Sequence, residues 1–164
     1  MRSDYINPEE FSLLAKHLQP PNLLAVCISA QTGLRIDDVL SLRIEKLKIR
    51  ITVLEKKTGK KRRVYLGKKM LEQIYKFCGT RKEGFIFPHR FDWNKHRTRQ
   101  AVFKDLKNNA LKLGLSSHIS PHSFRKVYAV KMFKRTKSLE RVQRILGHKK
   151  LETTLLYALA DNIK

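Results

Sequence analysis

A change of period in the middle of the chain constrains the fold more than any other feature of the sequence. Apolar and polar side chains alternate over residues 49–53 and again over residues 63–66. This period of two is typical of β-strands with one buried face. Thr58-Gly59 lies between the two segments and favours a turn. The pattern therefore predicts a β-hairpin with lysines and arginines around its tip.

Helical spacing of apolar residues dominates both sides of this hairpin. Asn7 can cap a helix that begins at Pro8, and Pro20-Pro21 opens a second, almost wholly apolar helix that we expect at the centre of the fold. Helices are predicted over residues 22–31, 36–42, 69–77, 98–113, 123–133, 139–146 and 151–160. Phe85-Ile86-Phe87 is predicted as a short edge strand. The expected fold is one domain, mainly α, with a small three-stranded antiparallel β-sheet.

The charge of the chain constrains its partner. Its 164 residues include 36 Lys and Arg against 14 Asp and Glu, a net charge of +22. A surface this basic repels itself unless a polyanion is near, and nucleic acid is the commonest such partner. A cationic membrane-binding protein is the competing interpretation, but the sequence has neither an amphipathic basic helix nor a lipidation signal. Double-stranded DNA is the predicted partner, with no membrane.

The cysteines and the N-terminus indicate the compartment. Cys27 and Cys78 lie in apolar, helix-like surroundings without metal-ligand spacing, which predicts buried free thiols. The N-terminus lacks the apolar core of a signal peptide, and no apolar run approaches transmembrane length. We expect a reducing, cytoplasmic location.

The last quarter of the chain concentrates side chains that can act on a phosphate. His122 stands three residues before Arg125, a second histidine follows 23 residues after that arginine, and a tyrosine lies nine residues further on. With two residues from the first half, the set is Arg35, Lys57, His122, Arg125, His148 and Tyr157. No metal-ligand set or cofactor motif accompanies it. This inventory suits metal-free attack by a tyrosine on a phosphodiester.

Three stretches of the sequence resemble the catalytic domain of the tyrosine recombinases, the phage-integrase family. Residues 32–43 are similar to the first arginine box of that family, and residues 57–64 to the β-hairpin that carries its lysine. The stretch from His122 to Tyr157 is similar to its second box and includes Leu146-Gly147-His148. All three occur in order, at family-like spacing, and together they cover nearly the whole chain.

The resemblance implies a role for each matching residue. By it, Arg35 and Arg125 are the paired catalytic arginines and Tyr157 is the nucleophile. Lys57 is the hairpin lysine, and His122 and His148 are the two histidines. Asp38 matches an acidic position that supports the site structurally.

Two features depart from the family pattern. Many members have a histidine directly after the second arginine, where this chain has Lys126. Members usually also carry an N-terminal core-binding domain, whereas residues 1–164 are expected to be the catalytic domain alone. A truncated form, a remnant and a naturally minimal enzyme all remain open.

The implied chemistry needs these residue types. In-line attack builds a second negative charge on the phosphate, which two always-charged guanidiniums are suited to hold. His122 is expected to accept the tyrosine proton and His148 to hydrogen-bond the phosphate. Lys57 is the candidate general acid for the 5′-oxygen, with Lys56 or Lys60 as alternatives. The product would be a 3′-phosphotyrosine that another 5′-hydroxyl can attack without ATP.

Further basic residues are predicted to contact DNA phosphates, although an ordinary solvated surface is almost equally consistent with any single one. They are Lys56, Lys60, Lys61, Arg62, Lys95, Arg97, Arg99, Lys149 and Lys150.

The leading functional hypothesis is a site-specific DNA recombinase of the integrase type, and self-association on DNA is left open. A type IB-like DNA relaxing enzyme would use the same chemistry. A non-catalytic, DNA-binding integrase remnant is the alternative from another class. A metal-dependent nuclease is disfavoured, because acidic residues do not cluster with the histidines.

Overall fold

The computed structural model describes residues 3–148 and 150–161, and this part of the chain contains α-helices and one antiparallel hairpin. The helices are α1 Pro8–Ala15, α2 Pro20–Thr32, α3 Ile36–Leu40, α4 Lys68–Cys78, α5 Arg99–Lys112, α6 Pro121–Thr136, α7 Leu139–Leu146 and α8 Leu151–Ala158, with a 3-10 turn at Ile44–Lys46. The strands are β1 Arg50–Leu54 and β2 Lys61–Tyr65.

The hairpin forms where alternation predicts it. Arg50 pairs with Tyr65 and Leu54 with Lys61. Ile51, Val53 and Val64 are buried on one face, so the apolar period of two is satisfied by a single covered side.

The prediction of a third strand was wrong: the described residues form a two-stranded sheet. Phe85 makes only an isolated bridge with Arg43. The Ile86 N–H donates to Leu42 O at 3.0 Å and the Ile44 N–H to Gly84 O at 2.9 Å. The backbone of residues 84–86 therefore hydrogen-bonds to residues 42–44 rather than to the hairpin. Pro88, which follows this segment, has no N–H with which to extend a ladder.

The main core lies where α2 packs against α6. Ala25, Val26 and Ile28 of α2 are fully buried, as is Phe124 of α6. The apolar second helix is central, as its composition predicted. Phe11 of α1 meets the Phe124 ring edge-on at 5.0 Å between centroids, which fastens the N-terminal helix to this core.

Helices α7 and α8 pack on a second, smaller apolar cluster at the far part of α6. Its buried members are Ala129 and Met132 of α6 with Val142 and Leu146 of α7, and Tyr157 of α8 packs against them. The environment of this tyrosine is thus set by a cluster separate from the main core.

Two further features of the fold bear on the sequence predictions. Cys78 is buried and Cys27 is half-buried, and both are free thiols. Within the described ranges, no helix is long and apolar enough to cross a bilayer.

Candidate active site

An open cleft of about 840 Å³ brings the predicted catalytic boxes together. Its walls come from the start of α3, the hairpin tip, the first turn of α5 and the segment that leads into α6. Arg35, Lys57, His122 and Arg125 line it. Four of the six residues singled out from sequence therefore share one cavity, although they come from three distant parts of the chain.

The N-terminus of α6 fixes the spacing of His122 and Arg125. Ser120 and Ser123 form a capping box, so α6 starts at Pro121, two residues earlier than predicted. His122 and Arg125 then lie three residues apart on one helical face. The capping box thus points both side chains toward the same cleft.

Arg125 is the structural centre of the site. Arg125 is 2% exposed, and its guanidinium donates hydrogen bonds to Gly33 O and Leu146 O. These carbonyls belong to the turns that precede Arg35 and His148. Burial, with help from Arg35 and Arg62, lowers the pKa of Arg125 to about 10, so the guanidinium keeps its charge at neutral pH.

Arg35 is held by a carboxylate that the sequence interpretation missed. Glu55, at the end of β1 and 3% exposed, accepts a hydrogen bond from Arg35 Nη1 at 2.8 Å and another from Thr58 Oγ1 at 2.9 Å. Burial alone would raise the pKa of Glu55, but the bonds from Thr58 and Arg35 outweigh it and lower that pKa. Glu55 is therefore an anion among cations. It is the one acidic residue between Arg50 and Arg63, a signal that could have drawn attention to it.

Asp38 supports the hairpin. Its Oδ1 accepts from the backbone N–H of Lys56 at 2.9 Å, and burial raises the pKa of this carboxyl. Its Oδ2 is buried without a hydrogen-bond partner among the described residues. The bond to Lys56 agrees with a structural role for Asp38, because it fixes where the hairpin tip, and with it Lys57, meets the cleft.

The lysines at the hairpin tip are not equivalent. Lys57 is exposed and lines the cleft. Lys56 also lines the cleft, but its amine already has two partners, His96 Nε2 at 2.7 Å and Asp37 Oδ2 at 3.5 Å. Lys60 is exposed and is not part of the cleft wall. Of the three candidates, Lys57 is the one whose position suits a proton donor.

The two histidines differ in enclosure. Partial burial and then the charges of Arg125 and Arg35 lower the pKa of His122. His122 lines the cleft and is exposed to it. Burial and the same arginines lower the pKa of His148 to about 4. Both rings are therefore neutral near pH 7.

His148 and Tyr157 form a pair beside the cleft. Their rings meet edge-on with centroids 4.9 Å apart, and His148 Nδ1 lies 3.1 Å from Thr154 Oγ1 of α8. The amine of Lys126 sits 5.5 Å from the centre of the Tyr157 ring. Burial raises the pKa of Tyr157, and the charges of Arg125 and Arg35 oppose that rise. The phenol is thus half-buried within the field of both arginines.

The predicted DNA contacts fall into two groups. Lys56, Lys60, Lys61, Lys95, Arg99 and Lys150 are exposed, and Lys56 and Arg99 also line the cleft. Arg62 instead turns inward, donating to Thr32 O at 2.5 Å and Gly33 O at 3.0 Å. Arg97 donates to Asn22 Oδ1 at 2.6 Å and Gln19 Oε1 at 2.8 Å. These two arginines serve internal contacts, and Lys149 lies outside the described residues.

Among residues 3–148 and 150–161, no three His, Cys, Asp or Glu side chains group in a way that could hold a metal ion.

Comparison with known proteins identifies relatives over most of the chain. The integrase of Escherichia phage P2 is 30% identical over 155 residues, which cover 94% of this chain and 42% of the phage protein. The tyrosine recombinase XerD of Lacticaseibacillus casei is 27% identical over 139 residues, or 80% of this chain and 47% of XerD. The chain therefore spans less than half the length of these two relatives.

The fold has a close counterpart among solved structures. A crystal structure of a lambda integrase dimer bound to a COC′ core site superposes with a TM-score of 0.78 at 20% identity, covering 100% of this chain and 62% of that one. Residues 4–162 match the sequence profile described as the phage integrase family. Since that match includes all six residues of the candidate site and nearly the whole chain, the protein belongs to the phage integrase family.

Proposed function

We propose that this protein cuts and rejoins DNA at specific sites through a 3′-phosphotyrosine on Tyr157, without metal or ATP. The observation that carries the proposal is the buried Arg125, whose bonds to Gly33 and Leu146 hold it beside Arg35 in one cleft. Two guanidiniums at the same place are suited to a phosphate whose charge increases during attack. Residues 1–164 would form the catalytic domain.

The arginines would bind the scissile phosphate and stabilise its transition state. A guanidinium has five N–H donors. In Arg125, Nη1 and Nη2 each donate one hydrogen bond to a backbone carbonyl. Its other donors, with those of Arg35, can meet the non-bridging oxygens. Removal of one such preorganised donor typically raises the barrier by about 3–4 kcal/mol.

Proton transfers complete the cleavage step. The Tyr157 oxygen would form the new bond to phosphorus while its proton passes to the neutral His122. The bond from phosphorus to the deoxyribose O5′ breaks, and Lys57 would give that oxygen a proton. We assign the Thr154 hydroxyl as the donor to His148 Nδ1, 3.1 Å away; His148 would then carry its proton on Nε2 and donate it to the phosphate. A 5′-hydroxyl then reverses the steps and rejoins the strand.

DNA would bind across the cleft through its phosphates. The net charge of +22 and the exposed Lys57, Lys60, Lys61, Arg99 and Lys150 support a duplex substrate. Two of the comparison proteins suggest how it is used: XerD is named a tyrosine recombinase, and the lambda integrase structure is a dimer on its core site. We extend both properties to this chain, including self-association on DNA.

The decisive experiment traps the covalent intermediate. A duplex with a nick just beyond the scissile bond releases a short strand, so the 5′-hydroxyl is lost before rejoining. Labelled DNA incubated with the protein in EDTA should give an adduct that survives a denaturing gel. Tyr157→Phe keeps the ring and its packing but removes the nucleophilic oxygen, so this variant should bind DNA and form no adduct.

The remaining arms of the experiment separate the alternatives. Arg125→Ala should leave only a trace of adduct, because transition-state charge loses its partner. An adduct that persists in Tyr157→Phe would exclude this nucleophile. Firm DNA binding without an adduct on any tested site would indicate a non-catalytic DNA-binding protein instead.

A further inference from the structure

Residues 88–97, here named the aromatic loop, present two large rings to solvent. Phe91 is 81% exposed and Trp93 is 66% exposed. Both lie in the connection between α4 and α5, with a single residue between them. Apolar groups concentrated at one exposed site indicate an interaction surface more often than scattered single residues do.

The aromatic loop is an ordered projection. Pro88 and His96 form a β-bridge, the His89 N–H donates to Lys95 O at 2.7 Å, and the Arg97 N–H donates to Phe87 O at 2.7 Å. The side chain of Asp92 accepts from the Asn94 N–H at 2.9 Å. This backbone network holds the two rings away from the core, so their exposure is built into the loop.

Each exposed ring lies against a guanidinium. The Arg90 Cζ is 5.3 Å from the centre of the Phe91 ring, and the Arg81 Cζ is 5.7 Å from that of Trp93. Arg81 is itself fixed by a bond to Phe85 O at 2.8 Å. Aromatic faces beside guanidiniums are a common means of binding nucleic-acid bases and sugars.

The charge around the rings favours an anionic partner. Residues 84–104 include five lysines and arginines, and Asp92 is the one acidic residue of this segment. A partner that supplies both negative charge and apolar surface matches this combination, and a DNA duplex supplies phosphates together with the apolar edges of sugars and bases in its grooves.

The aromatic loop is continuous with the cleft. His96 near its end lies 2.7 Å from the amine of Lys56, the neighbour of Lys57. Two residues after the loop, Arg99 begins α5 and lines the cleft with Gln100. DNA that reaches the cleft over this side would therefore pass the two rings.

We propose that Phe91 and Trp93 contact the DNA duplex next to the scissile phosphate, packing on sugars and base edges in a groove. The proposal rests on the proposed function, since it requires DNA in the cleft. It adds a contact that does not depend on charge to a surface that otherwise binds phosphates. Apolar side chains inserted in a groove also favour sequences that deform easily, so the rings would contribute to the choice of site.

Trp93 is the single tryptophan of the chain, so its fluorescence reports on the aromatic loop alone. Unlabelled duplex is added to Tyr157→Phe protein, which binds without forming the covalent product. Binding itself is followed by the anisotropy of a labelled duplex under the same conditions. We expect DNA to quench the emission of Trp93 and to protect it from acrylamide.

Variants measure what the rings contribute. Phe91→Ala and Trp93→Ala should each weaken duplex binding roughly five- to tenfold, the low end of the range for one aromatic–base stack, because sugars and base edges cover less of a ring than a stacked base does. The slope of log K against log salt should stay unchanged in both variants, whereas Arg99→Ala should make this negative slope shallower by about 0.9. Leu111→Ala is the matched control: Leu111 is 70% exposed at the other end of α5 and should bind like the parent protein.

Each outcome decides the matter. Duplex binding with unchanged Trp93 emission would overturn the contact and leave the proposed function intact, as would Phe91→Ala and Trp93→Ala proteins that bind like Leu111→Ala. Emission that changes with protein concentration in the absence of DNA would assign the rings to contacts between copies of this chain. Failure of every duplex to bind would overturn both proposals.

Discussion

Replacing Glu55 with alanine tests whether this buried carboxylate organises the cationic site. The wild-type carboxylate accepts from Arg35 at 2.8 Å and lies 3.5 Å from Arg62 Nη1. It also accepts from the Thr58 hydroxyl. Glu55→Ala removes all three contacts and leaves Arg35, Arg62 and Arg125 close together without their common anion.

The expected loss of stability follows from these distances. Two unit charges about 4 Å apart interact by about 4 kcal/mol at an effective dielectric constant of about 20, so two arginines contribute a gross attraction of about 8 kcal/mol. Keeping the carboxylate out of water opposes this by several kcal/mol. Water can reach part of Arg35, and this screening reduces the free energy that is lost when the ion pair is removed. We expect Glu55→Ala to lower the free energy of unfolding by about 3–4 kcal/mol.

Urea denaturation measures this change. The midpoint should fall while the slope m stays close to that of the wild type, because the surface exposed on unfolding is nearly the same. Glu72→Ala, on the exposed face of α4, is the control and should change stability by no more than about 0.5 kcal/mol. A Glu55→Ala midpoint equal to that of Glu72→Ala would refute the role assigned to the ion pair.

An added anion extends the test to the arginines themselves. Sulfate should enter the space left in Glu55→Ala and restore part of the lost stability by mass action. Sulfate also stabilises proteins generally, so only the excess over wild type and Glu72→Ala counts. The same variant should bind DNA at least as tightly as wild type, yet form the covalent adduct up to about a hundredfold more slowly, because Arg35 is no longer oriented. Adduct formation at the wild-type rate would argue against an orienting role.

Three further predictions concern single residues. Lys57→Ala should slow cleavage of normal DNA far more than cleavage of DNA with a bridging 5′-sulfur, which leaves without a proton; equal losses on both would mean that Lys57 only binds. Burial lowers the pKa of His148 to about 4, so the unfolded chain binds more protons than the native protein between about pH 6.5 and 4. The free energy of unfolding therefore falls as the pH drops through this range, and this residue contributes at most roughly 3 kcal/mol to the fall. Urea denaturation across these pH values should show a shallower fall for His148→Gln than for wild type or the exposed-site variant His17→Gln, and parallel curves would contradict the assignment. Gly33→Ala should lower the free energy of unfolding by about 2–4 kcal/mol in the same assay, because Gly33 has φ +66° and an added methyl would overlap the Tyr128 ring. A Gly33→Ala protein as stable as wild type would show that the ring moves aside freely.

The secondary structure followed from local patterns. The alternation over residues 49–66 predicted the hairpin, and proline and asparagine signals placed the first two helices, because these features depend on neighbours within a few residues. The prediction of a third strand was wrong because of contacts between residues far apart in the chain. Phe85 and Ile86 have strand-like composition, but their backbone groups bond to the 42–44 turn, which no local pattern can indicate.

The sequence by itself determined the family and, through it, the six side chains that we propose for the site, because their order and spacing repeat the pattern of that family. Tertiary structure alone decided how they are held. Arg62 looked like one more basic residue of the hairpin tip, yet it turns inward to two carbonyls of α2. Glu55 carries no motif and becomes important only because folding encloses it with Arg35. The physical reason is the same in both cases. The order of charged residues can be read from the sequence, whereas the burial of a side chain and its ion-pair partner depend on residues that folding brings together from distant parts of the chain.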